Sequence, residues 1–297
     1  MDGYSDGRSR LSEQLRFNEG KPLAADLNRY RAQCHPSVMS NEKDQSLDVF
    51  GVKPLSKTID KTLEGVGKFL GKICMPAAEE FGLMLKERVS QWRMSNFAEI
   101  ANGAESIMGK QGGIGNRSAH PRIVSEIMEE GSWIDDSDVQ EMWSGLLASS
   151  CTQEGRDESN LIFINLLSEL TTAQAKILKY ACTNTEKKLS SNGFVYAEEL
   201  NPYTDKIIDI SGVSDIHRLD RELDHLRSLE LIDGGFYFPK FDDPEYREMV
   251  DDLDLEREDD RGKLNLTIEP TPLALNLYVR SQGLRQSLVY FFDFADK

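Results

Sequence analysis

The chain has 297 residues, 39% of them apolar and 29% charged, and 35 Lys and Arg against 51 Asp and Glu leave a formal net charge of −16. That length suits about two domains with sizeable cores. No stretch approaches the roughly 18 uninterrupted apolar residues of a membrane-spanning helix, and Met1–Ser5 lacks the apolar region of a secretion signal, so the expectation is an acidic, mostly folded, soluble cytoplasmic protein.

Residues 1–52 are polar and short of clustered aliphatic side chains. They read as a flexible N-terminal arm with at most a marginal helix over Ala24–Gln33. From Leu55 to Ile73 the pattern changes. Ile59, Leu63, Val66, Leu70 and Ile73 recur at 4-3-4-3 spacing, which places them on one stripe of a helix. Lys57, Lys61, Lys68 and Lys72 project from the other side, making a basic amphipathic helix. Pro76 fits the first turn of a following helix, which is expected to run through Phe81, Leu85, Val89 and Trp92 towards Ile107. The glycine-rich run Gly109–Gly115 has no phosphate-loop register and reads as a linker.

Short helices are expected over His120–Met128 and Asp136–Ser149, with Asp135, Asp136 and Ser137 supplying helix-start chemistry, and a further segment, Leu161–Leu170, leads into the next unit. These complete a helical domain spanning 53–170. Thr171-Thr172-Ala173-Gln174 has the capping-box form and opens a helix burying Ala173, Ile177, Leu178 and Ala181. After a polar loop, Ser214 begins a helix whose Ile216, Leu219, Leu223, Leu226 and Leu229 share a face. A short strand at 236–238, an acidic run, a strand at 264–268 and a closing helix from Thr271 follow. The fold class is therefore mainly α, an N-terminal helical domain followed over 171–297 by a winged helix-turn-helix-like α+β domain with an acidic wing insertion.

Four segments, His120-Pro121, Val139-Gln140-Glu141-Met142-Trp143-Ser144-Gly145-Leu146-Leu147-Ala148, Leu161–Leu170 and Leu170–Tyr180, stand in an order and spacing that resemble the abortive-infection alpha family of bacterial phage-defence proteins. The resemblance runs from about Ile59 to Tyr278. The stretch Thr271–Tyr278 is similar to the family's closing motif, with Ala274 where that motif usually has glycine. The resemblance implies a biological role more than a reaction, because the family brings no catalytic motif to map onto this chain.

The residues themselves point the same way. Cys34, Cys74, Cys151 and Cys182 are far apart, with no C-x-x-C pair and no histidine set at zinc-ligand spacing, so they read as reduced thiols and no metal is expected. His217 and His225 lie on one helix without an acid-base or metal set, and neither a G-x-S-x-G elbow nor an H-E-x-x-H pair is present. No catalytic residue and no cofactor are expected, and the chain reads as non-enzymatic.

A winged unit that reads DNA needs positive charge to neutralise phosphates. In the candidate recognition helix, Arg218 is expected to pair with Asp215 and Glu222, and Arg221 and Arg227 with Asp224. The wing segment 242–261 holds eleven acids and three arginines, a net of −8. Contact with a protein partner or defence-complex subunits is thus expected over nucleic acid. Candidate contact residues are Lys57, Lys61, Lys68 and Lys72 on the basic helix and Arg218, Arg221 and His225 on the recognition helix. Two rival readings remain open, a winged-helix transcriptional regulator and a membrane-surface effector acting through the basic helix.

Overall fold

A computed structural model of the protein describes residues 57–86, 91–236 and 266–294, which lie in one compact unit, 48–297. The expected N-terminal arm, the Ala24–Gln33 helix, Cys34 and the acidic run 242–261 lie outside the described residues. Among those described are eleven helices and two antiparallel strand pairs, so the chain is mainly helical.

Helix α1 (Lys57–Ile73) forms on the anticipated stripe: Leu63, Val66, Leu70 and Ile73 are buried. Phe69, which sequence periodicity puts at the margin of the stripe, is buried with them. Each such side chain contributes roughly 1.5–3 kcal/mol on burial. That gain, rather than helix propensity in a segment holding Gly65, Gly67 and Gly71, holds α1 in place. Pro76 stands in the first turn of α2 (Met75–Lys86), and nearby the Ile73 carbonyl accepts a hydrogen bond from Ala119 N–H at 2.9 Å.

The single helix expected from Pro76 to Ile107 is not formed. The chain makes α2 and then α3 (Gln91–Lys110), and the Phe81 and Phe97 ring centroids stand 5.7 Å apart. In a continuous helix 16 residues would separate them by about 24 Å, so the chain reverses between the two helices. Residues 87–90 lie outside the described residues. Trp92, expected on the apolar stripe of that long helix, is instead 44% exposed.

Helix α4 (Pro121–Gly131) starts at His120, whose Nδ1 accepts from Arg122 N–H at 3.3 Å. Helix α5 (Ser137–Ser150) starts at Asp136, whose carboxylate accepts from Asp138 and Val139 N–H. Helix α5 is buried continuously from Met142 to Ser150, which its small polar residues tolerate by bonding within their own helix. Ser144 Oγ donates to the Gln140 carbonyl at 2.8 Å and Ser150 Oγ to the Leu146 carbonyl at 2.7 Å. Helix α6 (Leu161–Glu169) follows Asn160, whose amide donates to Ser149 and Ser150 Oγ, both at 2.9 Å.

Helix α7 (Thr172–Asn184) begins with the full capping box: Gln174 N–H donates to Thr171 Oγ1 and Thr171 N–H to Gln174 Oε1. The polar loop expected next contains structure of its own, a hairpin of β1 (Lys187–Leu189) and β2 (Val195–Ala197) and then α8 (Thr204–Ser211). Helix α9 (Ile216–Ser228) buries Leu219, Leu223 and Leu226 as expected. Strand β3 (Ile232–Phe236) begins four residues before the anticipated strand at 236–238, and it pairs with β4 (Leu266–Pro270) from Ile232↔Pro270 to Phe236↔Leu266. Gly234 fits this register because its φ is 90° and a Cβ there would stand 2.9 Å from the Thr267 carbonyl carbon. Residues 237–238 and 264–265 lie outside the described residues.

Leu200 and Ile268 form a bridge with both backbone hydrogen bonds at 2.9 Å. Helix α10 (Pro272–Ser281), capped by Thr271, returns to pack on α5, and α11 (Leu288–Phe291) is the last described helix. One apolar cluster runs unbroken from Leu63 in α1 to Leu288 in α11.

Candidate interaction surface

The densest polar cluster joins the start of α7 to α9. Thr171 Oγ1 donates to Glu222 Oε2 at 2.9 Å, and Gln174 Nε2 donates to the Glu222 carbonyl at 3.2 Å. His225 Nδ1 lies 3.1 Å from Gln174 Oε1. Arg218 Nε approaches Glu222 Oε1 at 3.4 Å. Glu222 is only 8% exposed, and a carboxylate that far from water needs such partners. The cluster therefore fixes how α9 sits on α7, and it ties His225 and Arg218 to that task.

The remaining recognition-helix residues follow from the same geometry. The Asp215 carboxylate caps α9 by accepting from Arg218 N–H at 2.6 Å, so it meets the backbone of Arg218 and not its guanidinium. Asp224 pairs with Arg227, which also donates to the Gly234 carbonyl at 2.9 Å. The expected pair between Arg221 and Asp224 is not formed among the described residues. Arg221 and His217 are exposed on the outward side of α9. On α1, Lys68 and Lys72 are exposed and Lys68 pairs with Glu64 at 2.6 Å. The side chains of Lys57 and Lys61 lie outside the described residues. Structure thus separates the candidate residues into an engaged set, Arg218 and His225, and an outward set, Arg221, Lys68 and Lys72.

Two clefts are lined by charged and hydroxyl side chains. One, of about 300 Å³, is lined by residues including Ser106, Lys110, Glu141, Ser144, Lys179 and Gln282. Lys179 is held there by Asp138 at 2.9 Å and Glu141 at 3.1 Å, while Ser144 bonds back to its own helix. The Lys179 ammonium between these two carboxylates makes an ion-pair cluster. The other, of about 390 Å³, includes Arg156, Asp157 and Arg285. Ser159 N–H and then the Arg285 guanidinium hold the Asp157 carboxyl down at about 2, and Arg285 also donates to the Ser149 carbonyl at 2.9 Å. Burial pushes the Cys151 and Cys182 thiols up to about 12, which leaves them protonated. Among the described residues no group of three or more His, Cys, Asp and Glu is placed to hold a metal ion. No described helix is long and apolar enough to cross a membrane.

One surface feature escaped the sequence reading. Trp92 at the start of α3 and Trp133 just after α4 have ring centroids 6.3 Å apart and are 44% and 54% exposed. Tryptophan usually signals core, and no local pattern around Trp92 or Trp133 marks them as exposed.

A protein-family model described as abortive infection alpha matches residues 97–279, more than half of the chain, from within α3 to within α10. No curated protein and no solved structure matches.

Proposed function

The chain belongs to the abortive infection alpha family, and from that premise we propose that it is a non-enzymatic, cytoplasmic phage-defence protein that works as a sensor, adaptor or complex subunit through protein contacts. We further read residues 171–297 as a winged helix-turn-helix unit used for protein contact. The order α7, β1–β2, α8, α9, β3–β4, α10 supports the winged reading, with Leu200 at Ile268 standing where a third strand would join the wing.

The observation that carries the contact reading is the spending of α9's charges. Arg218 leans on Glu222 and Arg227 on Asp224, so a DNA phosphate would have to displace carboxylates already in place. The segment linking β3 to β4 adds a net charge of −8 within 242–261, which repels a phosphate backbone. On α9 a DNA-binding reading draws on Arg221 and His217, both exposed. The membrane reading loses support from the burial of the α1 apolar stripe within the protein.

Two measurements test this. Cells carrying the gene with its neighbours should plate phage poorly compared with cells lacking it; equal plating across a broad phage panel would remove the defence reading. Purified protein should give no sequence-dependent gel shift at low salt, and a salt-sensitive, sequence-dependent shift would establish the regulator reading instead.

A further inference from the structure

We infer that the Trp92–Trp133 surface is the docking site for a basic, partly apolar segment of a partner protein, with a lysine or arginine of the partner held between the indoles and the carboxylates around them. The inference rests on the protein-contact reading and names where and with what chemistry the contact is made.

The site is rigid before any partner arrives. Arg93 lies over the Trp133 ring, 4.1 Å from its centroid, donates from Nε to Ser132 Oγ at 2.9 Å and pairs with Glu129 at 3.0 Å. Buried Asn96 donates to the Ser132 carbonyl at 3.0 Å. These bonds hold the turn after α4 that carries Trp133, so little conformational freedom is lost when something binds there. Trp133, held in this way, and Trp92 against its ring are both about half in solvent, the composition of a binding hot spot.

Charge identifies the occupant. The last turn of α4 contains Glu129 and Glu130 and no base, although the C-terminal end of a helix is its negative pole and favours cations. Asp135 follows two residues after Trp133 and is exposed. Arg93 offsets Glu129, but Glu130 and Asp135 have no ion-pair partner among the described residues. Asp136 and Asp138, by contrast, are matched by Lys176 at 2.6 Å and Lys179 at 2.9 Å. Two uncompensated carboxylates therefore lie within three residues of Trp133 along the chain, at the negative end of a helix. A cation on an indole face with carboxylates at its rim satisfies all three features together. An anionic lipid surface or an acidic peptide would be repelled by them.

A short dye-labelled peptide alternating lysine and leucine, and its counterpart with glutamate for lysine, should be titrated into the full-length protein while tryptophan emission is followed. Trp143 is fully buried, so a change in emission reports Trp92 and Trp133. The lysine peptide should bind with an emission shift and the glutamate peptide should not. Trp133→Leu, which keeps an apolar side chain, should weaken binding roughly tenfold. Glu130→Gln with Asp135→Asn should weaken it several-fold and flatten its salt dependence. Equal affinity in these variants, or equal binding of the two peptides, overturns the proposal. An emission shift with phosphatidylcholine vesicles and none with peptide overturns it in favour of a lipid surface. Because no phage is used, failure here removes this docking site while the plating assay still decides the defence reading.

Discussion

Gly145 on α5 lies directly against the backbone of Ser281 at the end of α10: a Cβ at Gly145 would overlap the Ser281 carbonyl and stand 2.9 Å from Gly283 N. The obstacle is backbone, which cannot swing aside as a side chain can. Gly145→Ala should therefore cost at least the 1–3 kcal/mol typical of an overpacked core, seen as a lower urea midpoint with an unchanged slope. Ala148→Gly on the same helix, which combines the propensity difference with the loss of one buried methyl, should cost about 2 kcal/mol.

That contact joins residues 136 positions apart in sequence, and it shows where sequence reading stops. Local chemistry was legible: Thr171 and Gln174 make the capping box their types promised, Asp136 caps α5, and Leu63, Val66, Leu70 and Ile73 are buried as their spacing required. Strands of three residues such as Lys187–Leu189 are too short to show a period, and Gly234-Gly235 reads as a turn although both glycines sit inside β3. The reversal that brings Phe81 to Phe97 depends on contact between helices, which no single-helix pattern records. At the candidate surface, the acid partners of Arg218 and Arg227 lay within four residues and were readable. The reach of Glu222 to Thr171 across 51 residues was not.

The α7–α9 junction gives a second expectation. Gln174→Ala removes half of the capping box together with the bonds to His225 and the Glu222 carbonyl, and should lower stability by about 1–3 kcal/mol. Glu222→Leu fills the space but leaves Thr171 Oγ1 without its acceptor, and Arg218 loses its carboxylate. A cycle of Thr171→Val, Glu222→Leu and the double variant should show coupling above about 0.5 kcal/mol. Additive losses in chemical denaturation would mean that the two side chains act independently.

For α1, Leu70→Ser replaces a fully buried apolar side chain with a smaller polar one and leaves a cavity in the core. It should cost about 2–5 kcal/mol and lower the melting temperature accordingly. Lys68→Gln with Lys72→Gln should change stability by no more than about 0.5 kcal/mol, since both lysines are in water and the Glu64 pair is exposed. A large loss of stability from the lysine changes, measured by the same melts, would contradict this division of labour.

Asp157 predicts a pH effect. Its carboxyl titrates at about 2 in the folded protein, chiefly because Ser159 N–H donates to it, with Arg285 adding to the effect. A group depressed by folding stabilises the native state above its ordinary value near 4. That contribution fades as pH falls from there towards 2. Asp157→Asn should be less stable than the parent at neutral pH, and the gap should narrow across this window. A gap that stays constant with pH would assign the loss to packing alone.

The meeting of α5 with α10 also orders events during synthesis. Helices α3 and α5 leave the ribosome long before Ser281 exists, so the groove that Gly145 leaves open waits for more than a hundred further residues before anything can fill it. Until then the small-residue face of α5 is available to whatever else is near, another nascent copy included. Long-range closure of this kind is slow relative to the local helices it joins. The helical half therefore gains its full stability only once Ser281 and Gly283 have been made, so a chain interrupted before them emerges with that face bare and fit for clearance.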